Sequence, residues 1–219
     1  MIYTCKYKSP LGEILLAADE IGLTGLWFEG QKYFANTLPD ERISQETEIL
    51  SEAKKWLDIY FSGEKPTFTP PLYPAGSTFR QAVWQILSEI PYGQTITYGE
   101  IASKIAEREN ISHMSAQAVG GAVGHNEISI IIPCHRVVGT NGSLTGYAGG
   151  IDKKISLLEL EHADMRNLFI NSESLSDPGL RNLIHSPYFQ TQRRSGLFRQ
   201  DKYQVSYAHS VRSAVPPWS

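Results

Sequence analysis

Ile128-Ser129-Ile130-Ile131-Ile132-Pro133-Cys134-His135-Arg136-Val137 sets an apolar run directly before a thiol, an imidazole and a guanidinium. The run over residues 128–132 reads as a buried β-like segment, and Pro133 ends it because proline brings no amide to a ladder. A chain that changes direction there can carry Cys134 from the core edge into a cleft. The thiolate is the reactive form of cysteine, and a nearby imidazole can take the thiol proton. Adjacent side chains seldom meet, so His135 needs a favourable turn or a bridging water. Two readings of these residues stay open: a nucleophile with its base, or an inert buried cysteine beside a surface histidine. A zinc site built from His125, Cys134 and His135 fits no standard ligand spacing, so no metal is expected.

Upstream of this stretch, Thr78-x-x-Gln81 is a capping-box pattern, and Phe79, Val83, Ile86, Leu87 and Ile90 form one apolar face before Pro91-Tyr92-Gly93 stops the helix. A second box, Thr97-x-x-Glu100, opens a short helix through Ile101, Ala102 and Ile105. Ser115 can cap a third, with Ala118, Val119, Ala122 and Val123 turned inward. Two short helices joined in this way resemble a helix-turn-helix, whose second helix enters a DNA groove. Downstream, a glycine-rich stretch over residues 139–150 leads into a helix over 151–161.

The chain opens differently, with short strands over residues 2–7, 13–18 and 23–28 separated by turn sequences. A helix follows over 46–62, with Ile49, Ala53, Trp56, Leu57 and Tyr60 on one face. Residues 63–76 contain Gly63, Pro66, Pro70, Pro71, Pro74 and Gly76 and read as an extended linker between two domains.

The 219 residues carry a formal charge of −3, divided as −4 over residues 1–75, −2 over 76–162 and +3 over 163–219. Contact with nucleic acid must therefore rest on local geometry rather than a basic shell. Cys5 and Cys134 are far apart and in no C-x-x-C pattern, which argues against a disulfide framework and for a reducing compartment. Lys6, Lys8 and Glu13 do not fit a signal peptide, and no apolar run approaches membrane-spanning length. A cytoplasmic protein is expected, nuclear in a eukaryote, with no membrane partner.

Pro133-Cys134-His135-Arg136-Val137 resembles the active-site signature of the O6-alkylguanine-DNA alkyltransferases, or methylated-DNA–protein-cysteine methyltransferases. The resemblance extends over residues 78–84, Ile96-Thr97-Tyr98-Gly99, Ala118-Val119-Gly120-Gly121-Ala122, Asn126, Gly146-Tyr147, Gly149-Gly150, Leu158 and Glu161, and follows the family layout over residues 1–162. It implies an α/β fold of two domains. A small N-terminal ribonuclease-H-like α/β domain with its linker takes residues 1–75. A helical, winged-helix-like domain with a helix-turn-helix takes 76–162. The implied activity is irreversible, single-turnover transfer of a methyl or alkyl group from O6-alkylguanine in double-stranded DNA to Cys134. O4-alkylthymine stays open as a second substrate. No cofactor is consumed, and a monomer is implied.

The resemblance also assigns roles. Cys134 is the acceptor, His135 the base acting through a water, and Glu161 the group that orients it; Asn126 braces the turn that carries the cysteine. Tyr98 crowds a DNA phosphate and donates a proton to the leaving guanine. Val137, Tyr147 and Ala148 line the guanine pocket. Ser115, Gln117 and Gly120 belong to the DNA-facing helix. Two departures stand out. Gln117 occupies the place of the arginine that fills the gap left by a flipped base, and Glu127 stands where the family often has proline, adding a negative charge near the site. Residues 163–219 have no counterpart in the resemblance and read as a largely disordered extension with one short helix over 180–185, the other reading being a basic arm on DNA. Two other functions compete: a binder of alkylated DNA without chemistry, which the presence of Cys134 disfavours, and a cysteine hydrolase, for which no distant histidine or oxyanion-hole motif is found.

Overall fold

A computed structural model describes residues 1–170 of the chain; the short helix read at 180–185 lies outside the described residues. Strands β1 (Tyr3–Ser9), β2 (Gly12–Ala18) and β3 (Leu23–Phe28) form an antiparallel meander, and a two-residue strand β4 (Ile43–Ser44) adds to β1 in parallel. The sheet order is β3-β2-β1-β4. Gly25 in β3 cannot be replaced, because a Cβ there would lie 1.7 Å from the buried ring of Trp27.

Helix α1 (Glu48–Phe61) packs on this sheet, with Thr47 as its N-cap. Its buried stripe is Leu50, Ala53, Trp56, Leu57 and Tyr60, so Leu50 takes the place expected of Ile49, which is only half-buried. Spacings of three and four residues run from Leu50 to Tyr60, and Ile49 lies one position off that stripe.

The proline-rich segment is not a free spacer. Leu23 N–H donates to Pro71 O at 2.7 Å, and Tyr73 N–H donates to Leu23 O at 2.7 Å. Further along β3, Leu26 N–H donates to Glu127 O at 2.8 Å, and Ser129 N–H donates to Leu26 O at 2.9 Å. An outer strand left open invites wrong pairing. Here the linker and the second domain each close part of it, which fixes the two halves of the chain to one another.

The second half is built from α2 (Thr78–Ser88), β5 (Ile96–Thr97), α3 (Tyr98–Arg108), α4 (Ala116–Gly124), a 3-10 turn (Cys134–Arg136), β6 (Val137–Val138) and α5 (Ile151–Leu160). Ser77, not Thr78, caps α2, its hydroxyl accepting from Arg80 N–H, while Gln81 reaches back to Gly76 O at 3.2 Å. The Thr97–Glu100 box forms as expected on α3. Ser115 caps α4, and Val119, Ala122 and Val123 face inward, where Trp84 Nε1 also donates to Ala122 O at 2.9 Å. Ala118, expected inward, is exposed with Gln117 and Gly121. The outer face of α4 therefore carries small, uncharged side chains. β5 and β6 pair in parallel beside α3.

The run over 128–132 is buried as expected but is not a strand. Only Ile128 bridges, to Leu26, and the chain then turns with Ile131 N–H on Ser129 O and Ile132 N–H on Ile128 O, at 2.8 and 3.1 Å. Ile130 has φ 69°, which a β-branched residue rarely adopts and which costs about 1–3 kcal/mol. Composition cannot separate a buried turn from a buried strand. The first residues of the extension belong to the body: Ala163 and Ile170 are buried, and Leu144 N–H donates to Phe169 O at 2.7 Å. No helix among the described residues is long and apolar enough to cross a membrane.

Candidate active site

Cys134 opens the 3-10 turn, 4% exposed. Asn126, just past the end of α4, holds this turn from one side. Its amide donates to Ile132 O at 2.7 Å, Ile128 O at 3.3 Å and Cys134 Sγ at 3.0 Å, and its oxygen accepts from Ile128 N–H at 3.1 Å. A single side chain thus fixes both the backbone that delivers the thiol and the sulfur itself. Burial pushes the Cys134 thiol above its ordinary range, while the Asn126 hydrogen bond, the nearby Lys154 ammonium and the backbone N–H groups at the turn pull the other way. The resting group is therefore a thiol whose anion already has partners in place.

Behind the cysteine lies a polar cluster centred on the buried Glu161 and His135. Glu161, the C-cap of α5, accepts from His135 Nε2 at 2.7 Å, from Arg136 Nε and Nη2 at 2.8 and 2.9 Å, from the Tyr60 hydroxyl at 2.7 Å and from Gly93 N–H at 3.1 Å. Arg136 Nη1 also donates to Ile90 O at 2.6 Å. Burial alone would raise the Glu161 carboxyl, but the His135 and Arg136 bonds outweigh it and hold the group well below the usual carboxylate range. Burial pushes His135 below the ordinary imidazole range despite Glu161. A neutral imidazole beside an ionised carboxylate keeps its proton on Nε2, which leaves the Nδ1 lone pair as acceptor. Nδ1 has no hydrogen-bond partner among the described residues.

Lys154 is fully buried on α5 and donates to Val137 O at 2.5 Å and Thr145 O at 2.7 Å. Burial lowers its pKa to about 7, opposed by Cys134. Tyr98, first residue of α3, donates to Thr145 O at 3.3 Å, and burial together with Cys134 pushes its phenol up to about 12. Tyr147 stands edge-on to His135 with ring centroids 6.4 Å apart, its hydroxyl buried. Val137 is buried next in the chain, and Ala148 is half-buried, its carbonyl accepting from Lys32 N–H at 3.0 Å. The fold thus gathers Cys134, His135, Asn126, Glu161, Val137, Tyr147 and Tyr98. Ser115 and Gln117 lie apart, on the exposed side of α4, and Gly120 joins the two groups, since a Cβ there would sit 3.9 Å from the Tyr98 ring.

Residues 2–74 match the family model of the 6-O-methylguanine DNA methyltransferase, ribonuclease-like domain, and residues 78–163 that of the 6-O-methylguanine DNA methyltransferase, DNA binding domain. The chain belongs to the 6-O-methylguanine DNA methyltransferase family. A methylated-DNA–protein-cysteine methyltransferase of Methanosarcina acetivorans is 47% identical over 161 residues, covering 73% of this chain and 98% of that protein. One from Haemophilus influenzae is 42% identical, covering 73% and 86%. Among solved structures, Mycobacterium tuberculosis O6-methylguanine methyltransferase aligns with a TM-score of 0.63 at 41% identity, over 74% of this chain and 93% of that one. Mycobacterium tuberculosis OGT in complex with DNA gives 0.63 at 39% identity, over 80% and 99%. The methyltransferase fold is therefore the two-domain one expected: a ribonuclease-like unit followed by a DNA-binding unit.

The Glu127 side chain, expected near the site, is buried against the first domain instead, accepting from Trp27 Nε1 at 3.0 Å and Thr37 Oγ1 at 3.3 Å; burial raises its pKa, and the two hydrogen bonds lower it. His125 is also engaged elsewhere, its Nδ1 2.7 Å from Gly121 O and its ring stacked on Tyr33. Sequence reasoning missed Lys154, Arg136, Tyr60 and Gly93. Lys154 left a signal, because it shares the inward stripe of α5 with Ile151, Ile155 and Leu158. Gly93 is required where it stands, since a Cβ would lie 2.7 Å from Glu161 O.

Proposed function

We propose that this protein repairs double-stranded DNA by moving a methyl or alkyl group from O6 of guanine to Cys134 in one irreversible step. The observation that carries the proposal is the union of a thiol held by Asn126 with a buried His135–Glu161 pair one residue away. His135, through a water, takes the thiol proton; Asn126 and Lys154 stabilise the sulfur anion. The S–C bond forms as the C–O6 bond breaks, and the electron pair returns to the purine. Tyr98, kept protonated at neutral pH, donates to the leaving guanine. Tyr147, Val137 and Ala148 line the base pocket. O6 lies inside the stack, so the nucleotide must be flipped out first, and the exposed face of α4 with Ser115, Gln117 and Gly120 is the groove-facing surface. The Mycobacterium tuberculosis OGT solved in complex with DNA supports this assignment of partner. No cofactor or metal enters the reaction. O4-alkylthymine remains a second candidate substrate, and the working form is a monomer in the cytoplasm, or the nucleus of a eukaryote.

The thioether product has no leaving group that cellular thiols displace, so each molecule acts once. Incubation with excess labelled O6-methylguanine duplex is expected to label no more than one methyl per protein. Continued methyl release from pure protein would mean a turning-over enzyme and end the proposal.

Gln117 is uncharged and exposed on the first turn of α4. Arginine there reaches further, stacks better and adds a charge-assisted bond to the gap left by the flipped base. One better contact worth ~1.4 kcal/mol speeds duplex repair about tenfold. Gln117→Arg is therefore expected to raise the ratio of duplex to free O6-benzylguanine rates about tenfold, because the free base needs no flipping. An unchanged ratio would place Gln117 away from the gap.

A further inference from the structure

The base and its orienting carboxylate are not a property of the DNA-binding domain alone. Tyr60, on α1 of the ribonuclease-like domain, is fully buried and places its hydroxyl 2.7 Å from Glu161 Oε1 and 3.5 Å from His135 Nε2. The oxygen it meets is the same one that accepts from His135 and from Arg136 Nη2. The ring is fixed before it arrives there. It stacks on Trp56 with centroids 5.2 Å apart and planes 11° from parallel, and it meets Phe61 and Tyr92 edge-on at 5.4 and 6.1 Å. A buried tyrosine hydroxyl usually has a partner, and a backbone carbonyl would satisfy it. This one is spent on the carboxylate that orients the base.

We propose that Tyr60 is a positioning residue for alkyl transfer: its hydroxyl draws charge from Glu161 and thereby limits how strongly that carboxylate holds a proton on His135. The proposal rests on the reading of Cys134, His135 and Glu161 as the transfer site. The physical reason is competition for one oxygen. Each donor on Oε1 reduces the negative charge available to the others, so a third donor beside His135 and Arg136 weakens stabilisation of the imidazolium. Other groups face the same pair from every side: Arg136 on the 3-10 turn, Lys154 on α5, Tyr147 in the loop before α5, Cys134 beside His135, and Tyr92 after α2. Of these, only Arg136 shares Glu161 Oε1 with Tyr60 and His135 through a hydrogen bond. Placement of Tyr60 depends on docking of the two domains, so the ribonuclease-like domain has a part in the chemistry as well as in the fold.

Tyr60→Phe removes the hydroxyl and keeps the ring stack; Glu161 retains Arg136, His135 and Gly93, so the folded state survives with a lowered melting temperature. Freed of one donor, Glu161 favours the imidazolium more, and His135 becomes protonated at a higher pH. The acid limb of the rate with free O6-benzylguanine is expected to move up by about half a pH unit, an approximately threefold slower reaction on that limb, with the rate above pH 8 unchanged. Titration of the His135 ring followed by NMR in the unreacted protein should move in the same direction, independently of transfer. Tyr92→Phe is the matched comparison: its hydroxyl lies 3.4 and 3.3 Å from the carbonyls of Gly63 and Leu160, and its ring remains under Arg136. It should leave both profiles in place. A uniform slowing of Tyr60→Phe at every pH with an unmoved His135 titration would reduce Tyr60 to packing and overturn the proposal, as would an equal shift from Tyr92→Phe. A wild-type protein that transfers no alkyl group at all would instead defeat the reading of the site, and the His135 titration would still decide whether Tyr60 acts on the pair.

Discussion

Cys134→Ala is expected to abolish alkyl transfer outright while duplex binding survives. The sulfur is the atom that forms the new bond, so no neighbouring group can replace it. The exposed face of α4 lies apart from the thiol, so the surface proposed to meet the duplex is untouched. Alanine removes one buried sulfur and one acceptor of Asn126, which keeps its bonds to Ile128 and Ile132 at 3.3 and 2.7 Å. That change costs about 1–2 kcal/mol, too little to unfold a domain of this size. Cys5 offers the internal comparison. It is half-buried on the sheet, and burial raises its thiol even with Lys54 beside it. Peptide mass spectrometry after reaction should place the methyl on the peptide with Cys134 and leave Cys5 bare. Label on Cys5, or residual transfer by the alanine variant, would remove Cys134 from its role.

Elements whose signals lie within a few residues of one another are legible in the sequence. The three strands, the Thr97–Glu100 box and the helices came from periodicity and caps, because those signals are local. Legibility failed where the deciding partner is distant. Tyr60 looked like another apolar residue on the inner stripe of α1, and it is 101 positions from Glu161. Glu127 looked like a charge beside the site, until a partner 100 residues away, Trp27, accounted for it. The run over 128–132 is buried, as its isoleucines imply, but turns instead of extending, because isoleucine content reports burial better than it reports φ. Residues 163–170 lacked any motif, yet their backbone completes an irregular pairing with residues 142–144 that no composition signals. The reach of the resemblance was wide for the same reason in reverse. It carries distant pairings, such as His135 with Glu161, that one sequence cannot supply by itself.

Glu161→Gln is expected to be the most damaging single change that leaves the acceptor in place. The carboxylate accepts five hydrogen bonds, two of them from a guanidinium that is itself nearly buried. Glutamine offers one carbonyl and brings two donors into a cluster made of donors, so Arg136 is left with a buried charge and no counter-ion. Breaking a buried ion pair in this way costs roughly 3–5 kcal/mol. For a protein of this length that lowers the melting temperature by roughly 6–20 °C. The loss depends on pH with a definite sign. Glu161 is held below its unfolded value, so its contribution is complete above the ordinary carboxylate range of about 4.3 and disappears as the pH falls through its folded value. Denaturant curves of wild type and variant should therefore differ most at neutral pH and converge in strong acid. The chemistry suffers separately. Without a carboxylate the imidazole loses the partner that fixes its proton on Nε2, and the wrong tautomer presents a proton where a lone pair is needed. Loss of an orienting carboxylate from a nucleophile–base–acid arrangement slows reaction by about three to four orders of magnitude. The measurement is the rate of methyl transfer from labelled duplex, made well below the variant's melting temperature so that folded protein is compared with folded protein. A variant that reacts within tenfold of wild type would show that His135 needs no orienting carboxylate, and that Glu161 serves only to neutralise Arg136.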